Sequence, residues 1–257
     1  MNSLKEKLIK KQKIAGTHVR LLDPAVTEMM SNLDFDFLWI DMEHSAIDYG
    51  ALQSHLIAAR AGGTPAVVRV PWNDQILTKR VLDLGADGIV FPMVNTAKEA
   101  EYAMKSCIYP PEGFRGAGPT RAAQFSLVPF DRYIGIHKEL CRFIQIESET
   151  GVNSIEEIVK VPNIDGIIVG PCDLSGSIGD LGNLYSEKNL KMIKRILAAA
   201  GKAGIPVGVS LDSNDSELLK FWADMGMTIL SSGMDFLSIV STAQQTRLNI
   251  RNAFGEC

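Results

Sequence analysis

The strongest constraint in this chain is a repeated change of period. Short β-branched, apolar runs alternate with longer segments of helical spacing, and the cycle completes eight times. The short runs are Ile14–Val19, Phe35–Asp41, Ala66–Val70, Gly88–Phe91, Arg142–Glu147, Gly166–Val169, Val207–Leu211 and Thr228–Ser231. Helices are expected over 24–32, 49–61, 74–85, 96–106, 151–160, 187–203, 213–225 and 234–252, with Pro and Gly at many of the joins. Such alternation builds parallel strands joined by helices. Runs such as Ala66-Val-Val-Arg and Gly166-Ile-Ile-Val are nearly continuous in apolar residues, as strands covered on both faces are. An open doubly wound sheet shares that pattern. The count of eight, the even alternation and the lack of G-x-G-x-x-G after the first run favour closure, so an α/β fold of the (β/α)8 TIM barrel type is expected. A length of 257 residues suits one barrel, expected as a single domain over 1–257.

Composition narrows the partners. With 46% hydrophobic and 22% charged residues the chain is too apolar to stay disordered. Its formal net charge is −4, and the one dense basic stretch, Lys5 to Lys13, reads as a solvated helix or arm. It lacks the aromatic-interleaved basic face of a nucleic-acid site, so no nucleic-acid partner is expected. Neither a signal-type apolar stretch nor a run long enough to span a membrane is seen, so a cytoplasmic location and no membrane partner are expected. Cys107, Cys141, Cys172 and Cys257 show no C-x-x-C spacing and read as free thiols. Cys107 and Cys141 are expected in the core and Cys257 at a frayed end.

In a barrel the reactive groups gather where the strands end, and four strand ends here are polar. They carry Asp41-Met-Glu43-His44, Arg69 with Pro-Trp-Asn-Asp beyond it, Gln145-Ile-Glu147, and Gly170-Pro-Cys-Asp173-Leu-Ser175. Glu147 and Asp173 follow adjacent strands, which run about 5 Å apart. Their carboxylates can therefore share one point, either as ligands of Mg²⁺, Mn²⁺ or Co²⁺ or, each alone, as helix caps or arginine partners. Arg69 ends an apolar strand and suits a substrate carboxylate or enolate oxygen, or else an ion pair with Asp41 or Glu43. His44 is the histidine best placed to exchange protons. His18 can line the mouth, whereas His55 and His137 read as structural or solvent-facing. Asp83 falls before the fourth strand, at the far end of its own unit. No strand ends in lysine, which argues against Schiff-base chemistry. The long loop at about 107–140 contains Tyr109-Pro-Pro-Glu-Gly-Phe-Arg-Gly-Ala-Gly-Pro-Thr, and a structureless stretch of that size is usually functional.

Five ordered motifs, Phe37-Leu-Trp-Ile-Asp-Met-Glu-His44, Val67-Val-Arg-Val-Pro-Trp-Asn-Asp74, Tyr109-Pro-Pro-Glu-Gly-Phe-Arg-Gly116, Gln145-Ile-Glu147 and Gly170-Pro-Cys-Asp-Leu-Ser175, resemble the class II pyruvate aldolases of the HpcH/HpaI family. The likeness spans almost the whole chain. It implies a divalent-metal-dependent carbon–carbon lyase that interconverts 4-hydroxy-2-oxo acids with pyruvate and an aldehyde, without a nucleotide cofactor. It implies that Glu147 and Asp173 hold the metal, that Arg69 stabilises the pyruvate enolate and that His44 moves protons through water. It also pairs His44 with Asp83 across a subunit contact, and brings Gly116, Ala117, Gly118, Asp173 and Ser175 to the substrate. Asp41, Glu43, Gln145 and Cys172 would flank and orient these groups. An exchange of the last helix between subunits, including Met234–Val240, and a hexamer built as a trimer of dimers are further implications. The chain departs from the family pattern at Met42, Cys172 and Pro119-Thr120, which bears on substrate preference. For Cys172 packing is expected over metal contact, because hard cations prefer oxygen. Rival readings are a citrate-lyase-β-like acyl-CoA lyase, a 2-oxo acid decarboxylase, and a non-catalytic metabolite-binding barrel.

Overall fold

Eight parallel strands close on one another in chain order: β1 (Ile14–Val19), β2 (Phe37–Asp41), β3 (Ala66–Arg69), β4 (Gly88–Phe91), β5 (Cys141–Ile146), β6 (Gly166–Val169), β7 (Val207–Ser210) and β8 (Ile229–Met234). The computed structural model describes residues 2–255, so Cys257 lies outside the described residues. The expected (β/α)8 barrel is the observed one. Closure comes from β8 pairing with β1, where the register shifts between Gly16 and His18.

Helices follow the strands, and their ends are set by side chains that the sequence displays. Asp23 caps α2 (Pro24–Ser31), Asp48 caps α3 (Tyr49–Gly62) and Asp74 caps α4 (Gln75–Asp83), each accepting a backbone N–H of the first turn. Thr96 and Glu99 form a reciprocal capping box on α5 (Ala97–Ser106). The segment expected as one helix over 151–160 is instead two short ones, α7 (Glu149–Asn153) and α8 (Ile155–Ile158), following the small α6 (Phe130–Gly135). An unanticipated α9 (Pro171–Ser177) opens directly after β6, ahead of α10 (Glu187–Ala203) and α11 (Ser216–Met225).

The basic N-terminal stretch is not merely a solvated arm. Residues Ser3–Ile9 form α1, with Leu4 and Leu8 buried one turn apart. These two side chains join Ile14, Phe37, Trp39, Val67, Val90, Phe143, Ile168 and Ile229 and so close the end of the barrel where the strands begin. Each fully buried leucine contributes about 1.5–3 kcal/mol. Lys5 is buried with them and pairs with Asp165 at 2.5 Å, while donating to the Leu140 carbonyl at 3.1 Å.

The long segment before β5 carries more order than its composition suggests. Besides α6 it holds helical turns at Arg121–Ala123 and Ile136–Lys138, and Tyr109, Ala123 and Tyr133 pack into a small core of their own. Its glycine-rich part runs along the outer side of α4. Gln75 donates to the Phe114 carbonyl at 2.9 Å, and Thr120 reaches the Asp83 carbonyl at 3.2 Å.

The last helix, α12 (Asp235–Ala253), leaves the barrel wall. Of its 19 residues only Asp235 is buried, and Leu237, Ile239, Val240, Leu248 and Ile250 are exposed. Of these, Ile239 and Ile250 border an apolar groove together with Met29 and Leu33 from the α2 side. No helix among the described residues is long and apolar enough to cross a membrane.

Candidate active site

Inward-facing positions alternate along each strand, so the residues that fill the barrel define which later ones face its mouth. Ile14 faces in, and therefore so do His18 and Arg20; Phe37 and Trp39 lead to Asp41, Val67 to Arg69, and Phe143 to Gln145 and Glu147. On β1, β2, β3 and β5 the lining thus changes from apolar to charged within two residues of the strand's end.

Arg69 lies at the centre of this layer. Its Nε and Nη2 donate to the two oxygens of Asp41 at 3.0 and 2.6 Å, its Nη1 meets Glu43 at 3.0 Å, and the guanidinium stacks over Trp39 at 5.4 Å. The ion pairs weighed as alternatives for Arg69 are both present. Asp41 also receives Arg20 Nε at 2.8 Å and the backbone N–H groups of Glu43 and His44 at 3.1 and 3.2 Å. Burial alone would push the Asp41 carboxyl up, but the two guanidiniums more than reverse this and hold it at about 2. Asp41 is thereby a fixed anion that orders two arginines and the turn carrying His44. The His44 side chain itself is exposed, with Nε2 3.8 Å from Glu43.

A second chain of contacts leads from Arg69 to Glu147. Arg69 Nη1 donates to Gln145 Oε1 at 3.4 Å, and Gln145 Nε2 donates to Glu147 Oε2 at 2.5 Å. The other Glu147 oxygen accepts the N–H of Met93 at 2.7 Å, a residue held at a φ of 53°. A Cβ at Gly170 would sit 2.5 Å from Glu147 Oε2, so only glycine leaves room for this carboxylate. Glu147 is 3% exposed, and among the described residues no lysine, arginine or histidine forms an ion pair with it. Burial raises its pKa to about 7; the Met93 N–H opposes this, while Glu43 and Asp173 add to it. Glu43 is raised as well, chiefly by burial.

Asp173 lies in the first turn of α9 rather than at the end of β6, and is exposed above Glu147. Ser175 is turned away: it is fully buried, with Oγ donating to the Cys172 carbonyl at 2.6 Å and accepting the Gly182 N–H at 3.0 Å. It ties α9 to the following loop. Cys172 is exposed, against the expected packing, whereas Cys107 and Cys141 are in the core. His18 faces the mouth but is fully buried, donating from Nδ1 to the Gly233 carbonyl at 2.8 Å and contacting Ser210 through Nε2 at 3.0 Å. Burial lowers it to about 4, so it stays neutral. His55 is buried against Thr27 at 2.7 Å, and His137 is held by the Ile134 carbonyl at 2.6 Å.

Asp83, Gly116, Ala117 and Gly118 form a separate group outside the barrel, away from this chain's own mouth. Asp83 pairs with the buried Arg115 at 3.1 Å, and a Cβ at Gly118 would lie 3.0 Å from its other oxygen. Burial raises the Asp83 carboxyl, against the pull of Arg115. Arg20, Met93 and Gly170 were not among the sequence candidates. Arg20 could have been found from its phase with Ile14 and His18, but the positive φ of Met93 leaves no mark in the sequence.

A family model described as HpcH/HpaI aldolase/citrate lyase matches residues 15–241. The chain belongs to that family. It is 36% identical over 245 residues to a 5-keto-4-deoxy-D-glucarate aldolase of Klebsiella pneumoniae subsp. pneumoniae, covering 95% of this chain and 94% of the relative. It is 31% identical over 247 residues to a hydroxypyruvate/pyruvate aldolase of Roseovarius nubinhibens, covering 95% of each. The crystal structure of an HpcH/HpaI aldolase/citrate lyase family protein from Burkholderia cenocepacia J2315 superposes with a TM-score of 0.91 at 32% identity, covering 98% of this chain and all of that one.

Proposed function

We propose that this chain is a divalent-metal-dependent aldolase that interconverts 4-hydroxy-2-oxo acids with pyruvate and an aldehyde, acting in the cytoplasm. The observation that carries the reading is a buried carboxylate with no cationic side chain paired to it among the described residues, Glu147, joined through one amide to a buried guanidinium, Arg69. Aldol cleavage next to pyruvate needs such a pair: an anionic seat for a cation and a fixed positive group for the oxygen that becomes negative.

The donors suit a hard divalent cation. Glu147 and Asp173 are oxygen donors, burial and the neighbouring acids keep Glu147 short of a positive charge, and Gly170 leaves space beside it. Two carboxylates would leave the cation's other positions to water and substrate. The family is generally divalent-metal dependent. When bound, the cation would act as a Lewis acid on the 2-oxo acid.

The chain's own residues supply the remainder. Glu147 and Asp173 would hold the cation. Arg69, locked by Asp41 and stacked on Trp39, would donate to the developing enolate oxygen without having to reorganise. His44, exposed at the rim, would take the C4 hydroxyl proton through a water in cleavage and return it in condensation. The test is pyruvate release from a panel of 4-hydroxy-2-oxo diacids and 2-oxo-3-deoxy sugar acids, with a coenzyme A thioester and a simple 2-oxo diacid as controls. Release from the first two groups that stops with EDTA and returns with Mg²⁺, Mn²⁺ or Co²⁺ is expected. Turnover of the controls alone would refute the proposal.

Asp83 and the glycine-rich segment enter only through a second subunit. We place Asp83, Gly116, Ala117 and Gly118 beside the His44 of a neighbouring chain, in a closed homo-oligomer whose subunits exchange α12. The exposed apolar side of α12 supports this, since a monomer leaves that surface in water. Asp83→Asn and His44→Ala should each lose activity while binding metal normally. Mixing the two under exchange conditions should restore about a quarter of wild-type activity, because random pairing unites an intact His44 with an intact Asp83 at that frequency. An active monomer in sedimentation at assay concentration would overturn the arrangement.

A further inference from the structure

Arg20 is the charged group in the mouth for which the aldol chemistry above has no use. The phase of β1 brings it there, since Ile14, Gly16 and His18 alternate on the inward face and Arg20 follows directly after the strand's last residue, Val19. Its backbone N–H is anchored to the buried Asp235 at 2.9 Å. Its side chain keeps 20% of its surface and meets protein charge only at Asp41, whose carboxylate lies 2.8 Å from Nε as an ion pair without a hydrogen bond. Among the described residues no other carboxylate lies within ion-pair distance of it. The same Asp41 oxygen takes Arg69 Nη2 at 2.6 Å, so the two guanidiniums flank one buried anion.

This places two arginines side by side with different freedoms. Arg69 is engaged by Asp41, Glu43 and Gln145, which leaves one Nη2 hydrogen for a substrate oxygen, whereas the two Nη groups of Arg20 are hydrogen-bonded to nothing among the described residues. A guanidinium seated by its charge contact with Asp41 and carrying no hydrogen bond at either Nη presents the fork that takes a carboxylate through two parallel hydrogen bonds. Its neighbour on the same Asp41 oxygen, Arg69, is the group assigned to the enolate oxygen, so the fork lies on the same side of the mouth as that assignment.

We infer that Arg20 binds a carboxylate on the aldehyde half of the substrate, and so favours 4-hydroxy-2-oxo diacids whose second carboxylate lies immediately beyond C4. The inference rests on the aldolase reading, and it names the substrate class of that same site. His18 and Ser210, neutral and engaged with each other beneath Arg20, offer no competing charge.

Two nearly isosteric substrates test it: 4-hydroxy-2-oxoglutarate and 4-hydroxy-2-oxopentanoate, which differ by a carboxylate in place of a methyl at C5. Pyruvate release from each is measured for the wild type, Arg20→Gln and Arg20→Lys. Gln keeps a donor for Asp41 but loses charge and fork, so the diacid-to-monoacid ratio of kcat/KM should fall tenfold to a hundredfold. Lys keeps the charge without the fork and should fall between. An unchanged ratio in Arg20→Gln, whether or not both rates drop together, would overturn the inference and leave Arg20 as a support for Asp41. Should Arg20→Gln fail to fold, the ratio in Arg20→Lys decides in the same way. Deuterium exchange into the pyruvate methyl group is run beside these assays and reports on the aldolase reading alone. If neither exchange nor cleavage occurs, calorimetric binding of the two acids with Mg²⁺ present still separates the outcomes, equal affinities in wild type and variant counting against Arg20.

Discussion

Replacing Arg69 by alanine is expected to lower turnover by about three orders of magnitude, with Arg69→Lys lowering it about a hundredfold. The size follows from what Arg69 does in the free protein. Its Nε and Nη2 are fixed on Asp41 and its plane on Trp39, so its position is set before substrate arrives. Such a donor need not reorient as charge develops, which is why the loss of one costs so much. Lysine keeps a positive charge but cannot satisfy both Asp41 oxygens while reaching Gln145, so it restores only part of the effect. Alanine also leaves Asp41 fully buried with Arg20 as its only cation, a change that costs about 3–5 kcal/mol of stability. Thermal melts and kcat must therefore be read together. Turnover by Arg69→Lys within threefold of wild type would show that Arg69 serves as the counter-ion of Asp41 and nothing more.

The barrel was legible because its information is local and repetitive. Strand phase survives in any run where apolar residues face both sides, and β1, β4 and β6 begin and end where the sequence places them. Errors fell where a second element decides the outcome. The Lys5 to Lys13 stretch reads as solvated by charge, yet Leu4 and Leu8 find the open end of the barrel and take Lys5 in with them. The break within 151–160 leaves no mark in the sequence because Ser154 carries helix-compatible neighbours on both sides while its own backbone leaves the helix, at φ −101° and ψ 3°.

Within the mouth the same division holds. Asp41, Arg69 and Gln145 lie in the last two residues of their strands, and Glu43 and Glu147 follow within two residues, so strand phase brings the five to one mouth. Ser175 sits in a motif beside Asp173, but α9 turns one outward and the other into the fold, a difference of rotation that a motif does not carry. Asp83 and Gly118 are 35 positions apart in the chain and meet on the outer side of α4 because the long segment runs along that helix. No single-chain periodicity relates either of them to His44.

Glu147→Gln is expected to abolish most metal affinity and to lower activity at least a hundredfold, and its pH behaviour separates this cause from a damaged fold. In the metal-free protein the folded Glu147 carboxyl titrates near 7, above its ordinary 4.5, first because it is buried and then because Glu43 and Asp173 stand near it. The native state therefore holds an extra proton between those two values, and its stability falls as pH rises through that window. On the order of 3 kcal/mol is lost by pH 8. A divalent cation replaces that proton, so affinity for Mg²⁺ should rise up to tenfold per pH unit below 7 and level off above it. Melting in EDTA should accordingly show a lower midpoint at pH 8 than at pH 5, and Mg²⁺ should restore more at pH 8. Glutamine keeps the shape of the side chain and the contact with the Met93 N–H but carries no charge. The variant should melt in EDTA with little dependence on pH between 5 and 8, at or above the wild-type midpoint at pH 8, and gain almost nothing from Mg²⁺. Calorimetry that found wild-type Mg²⁺ or Mn²⁺ affinity in Glu147→Gln, with the same pH slope, would remove Glu147 from the metal site and return its raised carboxyl to a structural role beside Gln145.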